Sequence, residues 1–219
     1  MFGDKISYFS EYNQITDFVI KNLKAIQQAN SKLCISVGGE SGCGKTSLAY
    51  ALKIDIEKVT GRRGYLFHGD DYFKLPPTDN HNKRLESIEN VGEKEVDLDL
   101  LNKHILEFKK GNSLVKPLVI YDENIIVTER INTSDFDFSI VEGTYVSLLN
   151  SSDYKLFLKT TYIDTHNFRM ERARDVMDEF NEKVLEIEHQ IIKPHYKLAD
   201  VIIDKDLRIS KTQNKEYDF

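Results

Sequence analysis

The sequence has no apolar run near the roughly 20 residues needed to cross a bilayer, and Met1-Phe2-Gly3-Asp4-Lys5 carries no apolar signal core. It has only two cysteines, Cys34 and Cys43, too few for a disulfide framework. It also lacks a basic excess: 30 Lys and Arg against 36 Asp and Glu leave a formal charge of −6. A protein that grips a nucleic-acid backbone needs a basic footprint, so nucleic acid is excluded as a main partner. No internal repeat, low-complexity tract or linker divides the 219 residues. Together these absences exclude a membrane-spanning chain and a secreted disulfide scaffold, and the expectation is a reduced, cytoplasmic protein with no membrane partner. A small anionic ligand held by local groups remains compatible with them.

What is present is organised around Gly39-Glu40-Ser41-Gly42-Cys43-Gly44-Lys45-Thr46. The apolar run Leu33 to Val37 reads as a strand before it, and Ser47 to Leu52 reads as helix after it. That is the G-x-x-x-x-G-K-[ST] phosphate loop in the strand–loop–helix setting it requires. Glycines let the backbone curl until successive N–H groups face one anion, and the helix adds its positive end. Lys45 is expected on the outer phosphates, and Thr46 offers its hydroxyl to Mg²⁺. Cys43, a thiol among anion-binding N–H groups, is expected to be acidic and oxidisable. Cys34 is expected to point out of its strand.

Before the loop, Ile15, Phe18, Val19, Leu23 and Ile26 recur at helical spacing, which predicts an amphipathic helix packed on the sheet. After the loop helix, Tyr65 to His68 reads as a second strand ending at Asp70-Asp71. In a parallel α/β sheet, strand carboxyl ends border the ligand crevice. One of these acids could accept the proton of an attacking hydroxyl, and the other could orient Mg²⁺ through water. Lys74 to Glu95 reads as a long polar loop, of the kind that is a binding loop, a lid or disordered. Asp97 fits the N-cap of a helix ending at Lys109-Lys110-Gly111. Leu118 to Val127 reads as a β-hairpin turning at Asp122-Glu123-Asn124. Phe136 to Gly143 and Tyr154 to Leu158 read as further strands, and Glu142, at the end of the first of these, is the candidate Mg²⁺ carboxylate. Asp164 to Asp178 reads as a charged helix bearing Arg169, Arg172 and Arg174. These arginines either neutralise phosphate charge or pair with Glu171, Asp175 and Asp178 in solvent. Val184 to Ile192 reads as an amphipathic helix, and Ala199 to Ile203 as a last strand.

In this order the chain resembles the uridine kinase and phosphoribulokinase family over about residues 34–204. The carrying residues are Gly39 to Thr46, Asp70-Asp71-Tyr72-Phe73, Tyr121-Asp122, Glu142-Gly143, the three arginines, and Lys193 to Asp204. The resemblance implies a three-layer P-loop NTPase α/β fold with a mainly parallel central sheet, a projecting β-hairpin and a helical lid. One kinase domain over 1–219 is expected, with 1–30 as the N-terminal amphipathic helix read from the apolar spacing. Within that domain 74–131 would be the acceptor-binding loop, helix and hairpin, and 164–194 the lid and helical region.

By the same resemblance the cofactors are ATP and Mg²⁺. Residues Gly39 to Ser47 and Arg174 would hold ATP, and Thr46 and Glu142 the metal. Asp70 would be the catalytic base, with Lys45, Arg169 and Arg172 on the moving phosphoryl group. Asp70, Tyr72, Asp97 and Tyr121 would meet a small-molecule acceptor, a nucleoside or similar alcohol, in a chain that could form a homo-oligomer. Two departures concern the acceptor: Glu95-Val96-Asp97 stands where uridine kinases carry Ala-Phe-Asp, and Ile126 stands where they carry a base-reading histidine. A sugar phosphate or a pantothenate-like alcohol is the alternative acceptor. A nucleotide-dependent switch is the rival class, although no Asn-Lys-x-Asp guanine-reading motif occurs.

Overall fold

A computed structural model describes residues 8–26, 32–167, 169 and 178–212. Among the described residues, the chain's first helices and strand are α1 (Asn13–Ile26), β1 (Leu33–Gly39) and α2 (Lys45–Thr60). Strand β2 (Gly64–His68), helices α3 (Pro77–Glu86) and α4 (Leu98–Lys110), and strands β3 (Leu114–Ile120) and β4 (Ile125–Ile131) follow. Strands β5 (Phe138–Gly143) and β6 (Tyr154–Leu158), helix α5 (Glu179–Ile192), and strands β7 (Val201–Ile203) and β8 (Ile209–Lys211) complete it.

The main sheet has the order β2-β5-β1-β6-β7-β8 and is parallel except at β8. β1 therefore sits between β5 and β6, where the strand order reverses. Such a switch point opens a crevice at the strand carboxyl ends, and there the phosphate loop emerges. Alternation along the strands serves two cores. Ile35 and Val37 of β1 with Ile140 of β5 pack under α1 and α2, where Ile15, Val19, Ile20, Leu23, Leu48 and Leu52 are buried. Cys34, Val141 and Phe157 face the other layer, packing with Leu101, Ile105 and Phe108 of α4 and with Ile192 of α5. Helices thus cover both faces of the sheet. Cys34 points into this second core rather than outward, and no part of it is exposed.

β3 and β4 pair antiparallel in a two-stranded sheet of their own. Asp71, wholly buried, accepts from Lys116 Nζ at 2.7 Å and from the Val119 N–H at 3.1 Å. This buried ion pair fixes the hairpin to the turn that follows β2.

Two stretches differ from the sequence expectation. The polar segment 74–95 is not a loop but carries α3 and two single turns, Ile88–Asn90 and Glu93–Glu95. Its helix signals are Pro77 at the first position, Asp79 in the first turn, and Lys83 and Arg84 in the last. With almost no apolar stripe, α3 depends on polar partners elsewhere. The last strand, β7, is followed by an antiparallel edge strand, β8, reaching Lys211. The Asp97 cap was legible: its carboxylate accepts from the Leu100 N–H at 2.9 Å, and Gly111 closes α4 at φ 80°.

Candidate active site

Gly42 and Gly44 have φ of 78° and 93°, in the left-handed region that favours glycine. Gly44 also caps α2, so the chain turns from β1 into the helix within a few residues. Lys45 folds back to donate to the Glu40 carbonyl at 2.7 Å, and its side chain is buried. Burial works against its charge. The Cys43 sulfur and the carboxylates of Glu142, Asp70 and Glu188 outweigh that, and its pKa stands above the ordinary lysine value. Three carboxylates from three parts of the chain therefore act on this one ammonium.

Glu142 ends β5 beside β1, with its Cα paired to Val37. Burial alone would raise its pKa. The His68 hydrogen bond at 2.9 Å, the His68 charge and Lys45 more than offset it, so it stays below the usual carboxylate range. A buried ionised carboxylate within the field of the loop lysine suits Mg²⁺ as an oxygen ligand. Ser47 stands half-buried in the first turn of α2, as does Thr46.

Arg169 lies over the loop. A Cβ at Gly42 would fall 2.9 Å from the Arg169 Cγ. Its Nη2 donates to the Tyr162 carbonyl at 3.0 Å, while its Nε is buried without a hydrogen-bond partner among the described residues. A curled glycine backbone, a charge-reinforced lysine and an unsatisfied arginine N–H are what a polyphosphate would satisfy. The residues fit ATP and Mg²⁺. Glu40 instead braces the loop, accepting from the Tyr162 N–H at 2.7 Å and bonding His189 Nδ1 at 2.7 Å.

On the acceptor side, Asp70 is half-buried in the turn Gly69–Tyr72 and lines a small, partly open recess. Phe73, Val96, Leu98 and Tyr145 share that wall. Asp97 adjoins it, its N–H bonded to the Tyr72 carbonyl at 2.8 Å. Tyr121, half-buried, follows the last residue of β3. Ile126 is half-buried on β4.

Three sequence expectations change here. Tyr72 is 1 % exposed and its hydroxyl meets His104 Nδ1 at 2.9 Å, so it belongs to the core under α4 and not to the acceptor. Asp71 does not reach towards a metal, because it is spent on Lys116. Cys43 is not an acidic thiol: burial raises its pKa, and the nearby Lys45 charge only partly offsets this. Arg172 and Arg174 lie outside the described residues.

Sequence reasoning missed a buried polar network. Arg84 of α3 donates through Nε to Glu95 at 2.5 Å and through Nη2 to Glu95 and Glu188, each at 2.9 Å. Glu95 also accepts from Asn80 Nδ2 and the Gly92 N–H, both at 2.8 Å. The only signal in the sequence was Glu95 standing where uridine kinases carry alanine. Arg84 and Glu188 lie 104 positions apart, beyond the reach of local pattern.

A strand–glycine loop–helix at the switch point, with a carboxylate closing the neighbouring strand and an arginine above, defines a phosphate-loop kinase. The comparisons agree. Residues 34–212 match the model of the Phosphoribulokinase / Uridine kinase family, and the chain belongs to that family. It is 29 % identical over 193 residues to the bifunctional alpha-galactosidase/sucrose kinase AgaSK of Mediterraneibacter gnavus, covering 81 % of this chain but 20 % of that longer protein. It is 29 % identical over 186 residues to a uridine kinase of Streptococcus thermophilus, covering 78 % of this chain and 85 % of the other. The fold matches the structure of a possible uridine kinase from Bacillus stearothermophilus. That match has a TM-score of 0.66 and 21 % identity, over 88 % of this chain and 98 % of that one. The chain is thus an ATP- and Mg²⁺-dependent kinase of small molecules.

Proposed function

We propose that this kinase transfers the γ-phosphoryl group of ATP to a hydroxyl of an uncharged, polyhydroxylated small molecule, with a nucleoside as the first reading. The observation that carries it is the charge state of the acceptor side. Asp70 lines the recess and Asp97 adjoins it in the chain, while two buried cations of this half of the site, Arg84 and Lys116, are matched to Glu95, Glu188 and Asp71. Carboxylates at a recess accept from hydroxyl groups and repel an anionic acceptor such as a sugar phosphate.

In this reading Asp70 takes the acceptor's proton as the hydroxyl oxygen bonds to phosphorus and the bridging oxygen leaves with ADP. Lys45 and Arg169 balance charge on the phosphoryl oxygens, joined by Arg172 and Arg174 on the strength of the resemblance. Thr46 and Glu142 would hold Mg²⁺, which offsets charge on the β- and γ-phosphates. Asp97 caps α4 with one oxygen and accepts from a neighbouring acceptor hydroxyl with the other. Tyr121 flanks the acceptor from the hairpin. Two free cysteines among the described residues suit a reducing cytoplasm.

A specific observation supports a carbohydrate acceptor as the second reading. Ile126 cannot make the hydrogen bond by which a histidine reads a base, and a site lacking that bond loses discrimination for bases. One relative, moreover, is a sucrose kinase. The test measures ADP release with Mg²⁺–ATP across uridine, cytidine, adenosine, sucrose, fructose, ribulose 5-phosphate and pantothenate. Turnover confined to the neutral compounds is expected. Preference for ribulose 5-phosphate or pantothenate would contradict the reading.

A further inference from the structure

Tyr145 stands two residues after Gly143, just beyond the carboxyl end of β5, and is 2 % exposed. It lines the same recess as Asp70. Its hydroxyl is buried without a hydrogen-bond partner among the described residues. A buried hydroxyl left unsatisfied costs free energy, so an unpaired one beside a ligand recess calls for an explanation. Core packing alone would be served by phenylalanine. Tyr72, by contrast, satisfies its hydroxyl on His104 within the core.

We propose that Tyr145 is an acceptor-binding residue that donates its hydroxyl hydrogen to a non-reacting hydroxyl of the acceptor, and so sets specificity for polyhydroxylated molecules. Building on the kinase reading above, the inference adds a residue to the acceptor site. The surroundings make the phenol a donor. Burial raises its pKa, and Glu188 and Glu95 raise it further against the Arg84 charge, so the proton stays on the oxygen. Arg84, bridging Glu95 and Glu188, holds α3 against α5 and keeps these two acids in place. The recess lined by Tyr145 and Asp70 is where an acceptor's hydroxylated ring would meet the chain. Its apolar side, Phe73, Val96 and Leu98, would meet the ring's carbon face.

The experiment compares wild type with Tyr145→Phe, which keeps the ring and removes only the oxygen. The acceptor probes are uridine, 2′-deoxyuridine, 3′-deoxyuridine, sucrose and fructose, with KM and kcat measured separately. The expected result is an acceptor KM raised about tenfold with KM for ATP unchanged. The variant should also lose discrimination between the best acceptor and its deoxy analogue. The melting temperature of the ligand-free protein should hold or rise, because no hydrogen bond is lost. An unchanged acceptor KM would overturn the proposal, and so would a fall of several degrees in the ligand-free melting temperature, which would mark the hydroxyl as a structural partner. Were wild type to bind ATP yet phosphorylate none of these compounds, the kinase reading for neutral acceptors would fail. The ligand-free melting temperature alone would then decide whether the Tyr145 hydroxyl is unpaired.

Discussion

Burial as deep as that of Lys45 lowers a lysine's pKa, yet the Cys43 sulfur and three carboxylates hold it above the ordinary value. The same field treats a thiol differently. Cys43 sits next to Lys45 in sequence, and its 7 % exposure lets burial dominate over the attractive charge. Sequence position suggested an activated cysteine; what it could not supply was the desolvation. The prediction at this scale is therefore inertness. Native protein treated with iodoacetamide at pH 7.5 should leave Cys43 unmodified over an hour, while urea-unfolded protein reacts in minutes. Fast labelling of Cys43 in the native state, read by peptide mass, would contradict the buried-thiol account.

Single elements owe their positions to a few long-range polar contacts. The hairpin is held to the turn after β2 by Asp71 and Lys116, 0 % and 2 % exposed at their side chains. Removing one partner strands the other as a buried charge, at a cost of about 3–5 kcal/mol. Lys116→Met should lower the urea midpoint strongly. Adding Asp71→Asn should recover part of that loss, because the stranded charge is gone. A single variant that melts like wild type would refute the coupling.

Legibility follows from distance along the chain. The phosphate loop, the Asp97 cap and the Asp122-Glu123-Asn124 turn declare themselves within a few residues, because each depends on local backbone geometry. α3 has an almost wholly polar sequence and leans on Glu95 and Glu188 through Arg84, so no periodic apolar stripe announces it. Tyr72 read as a ligand by its place in a motif and proved to be core, because only folding brings His104 against it. The same remoteness hid the Arg84 network and the unpaired hydroxyl of Tyr145.

At the scale of the whole molecule, the switch point of a parallel sheet gathers Lys45, Asp70 and Glu142 from separate strand ends. Holding Glu142 ionised in the interior links the site to stability. Its folded pKa lies below its unfolded one, so it contributes stability above the unfolded carboxylate pKa, about 4.3. That contribution disappears as pH falls through the folded value. Glu188 acts in the opposite sense: burial raises its pKa, so its contribution is present at acid pH and is lost as pH rises through its folded pKa. Melting temperatures from pH 7 to pH 3 should therefore show a smaller acid loss in Glu142→Gln than in wild type. Parallel curves would remove Glu142 from the acid transition.

The central claim is that Asp70 activates an acceptor hydroxyl beside an ATP site built by the phosphate loop. It is tested most directly by acceptor-dependent ADP formation in Asp70→Asn, with Mg²⁺–ATP affinity measured by calorimetry on the same preparation. The account predicts a fall in kcat of roughly 10²–10⁴-fold, the range for losing a general base, with ATP affinity within about threefold of wild type. Near-wild-type turnover, or a parallel loss of ATP binding, would contradict it.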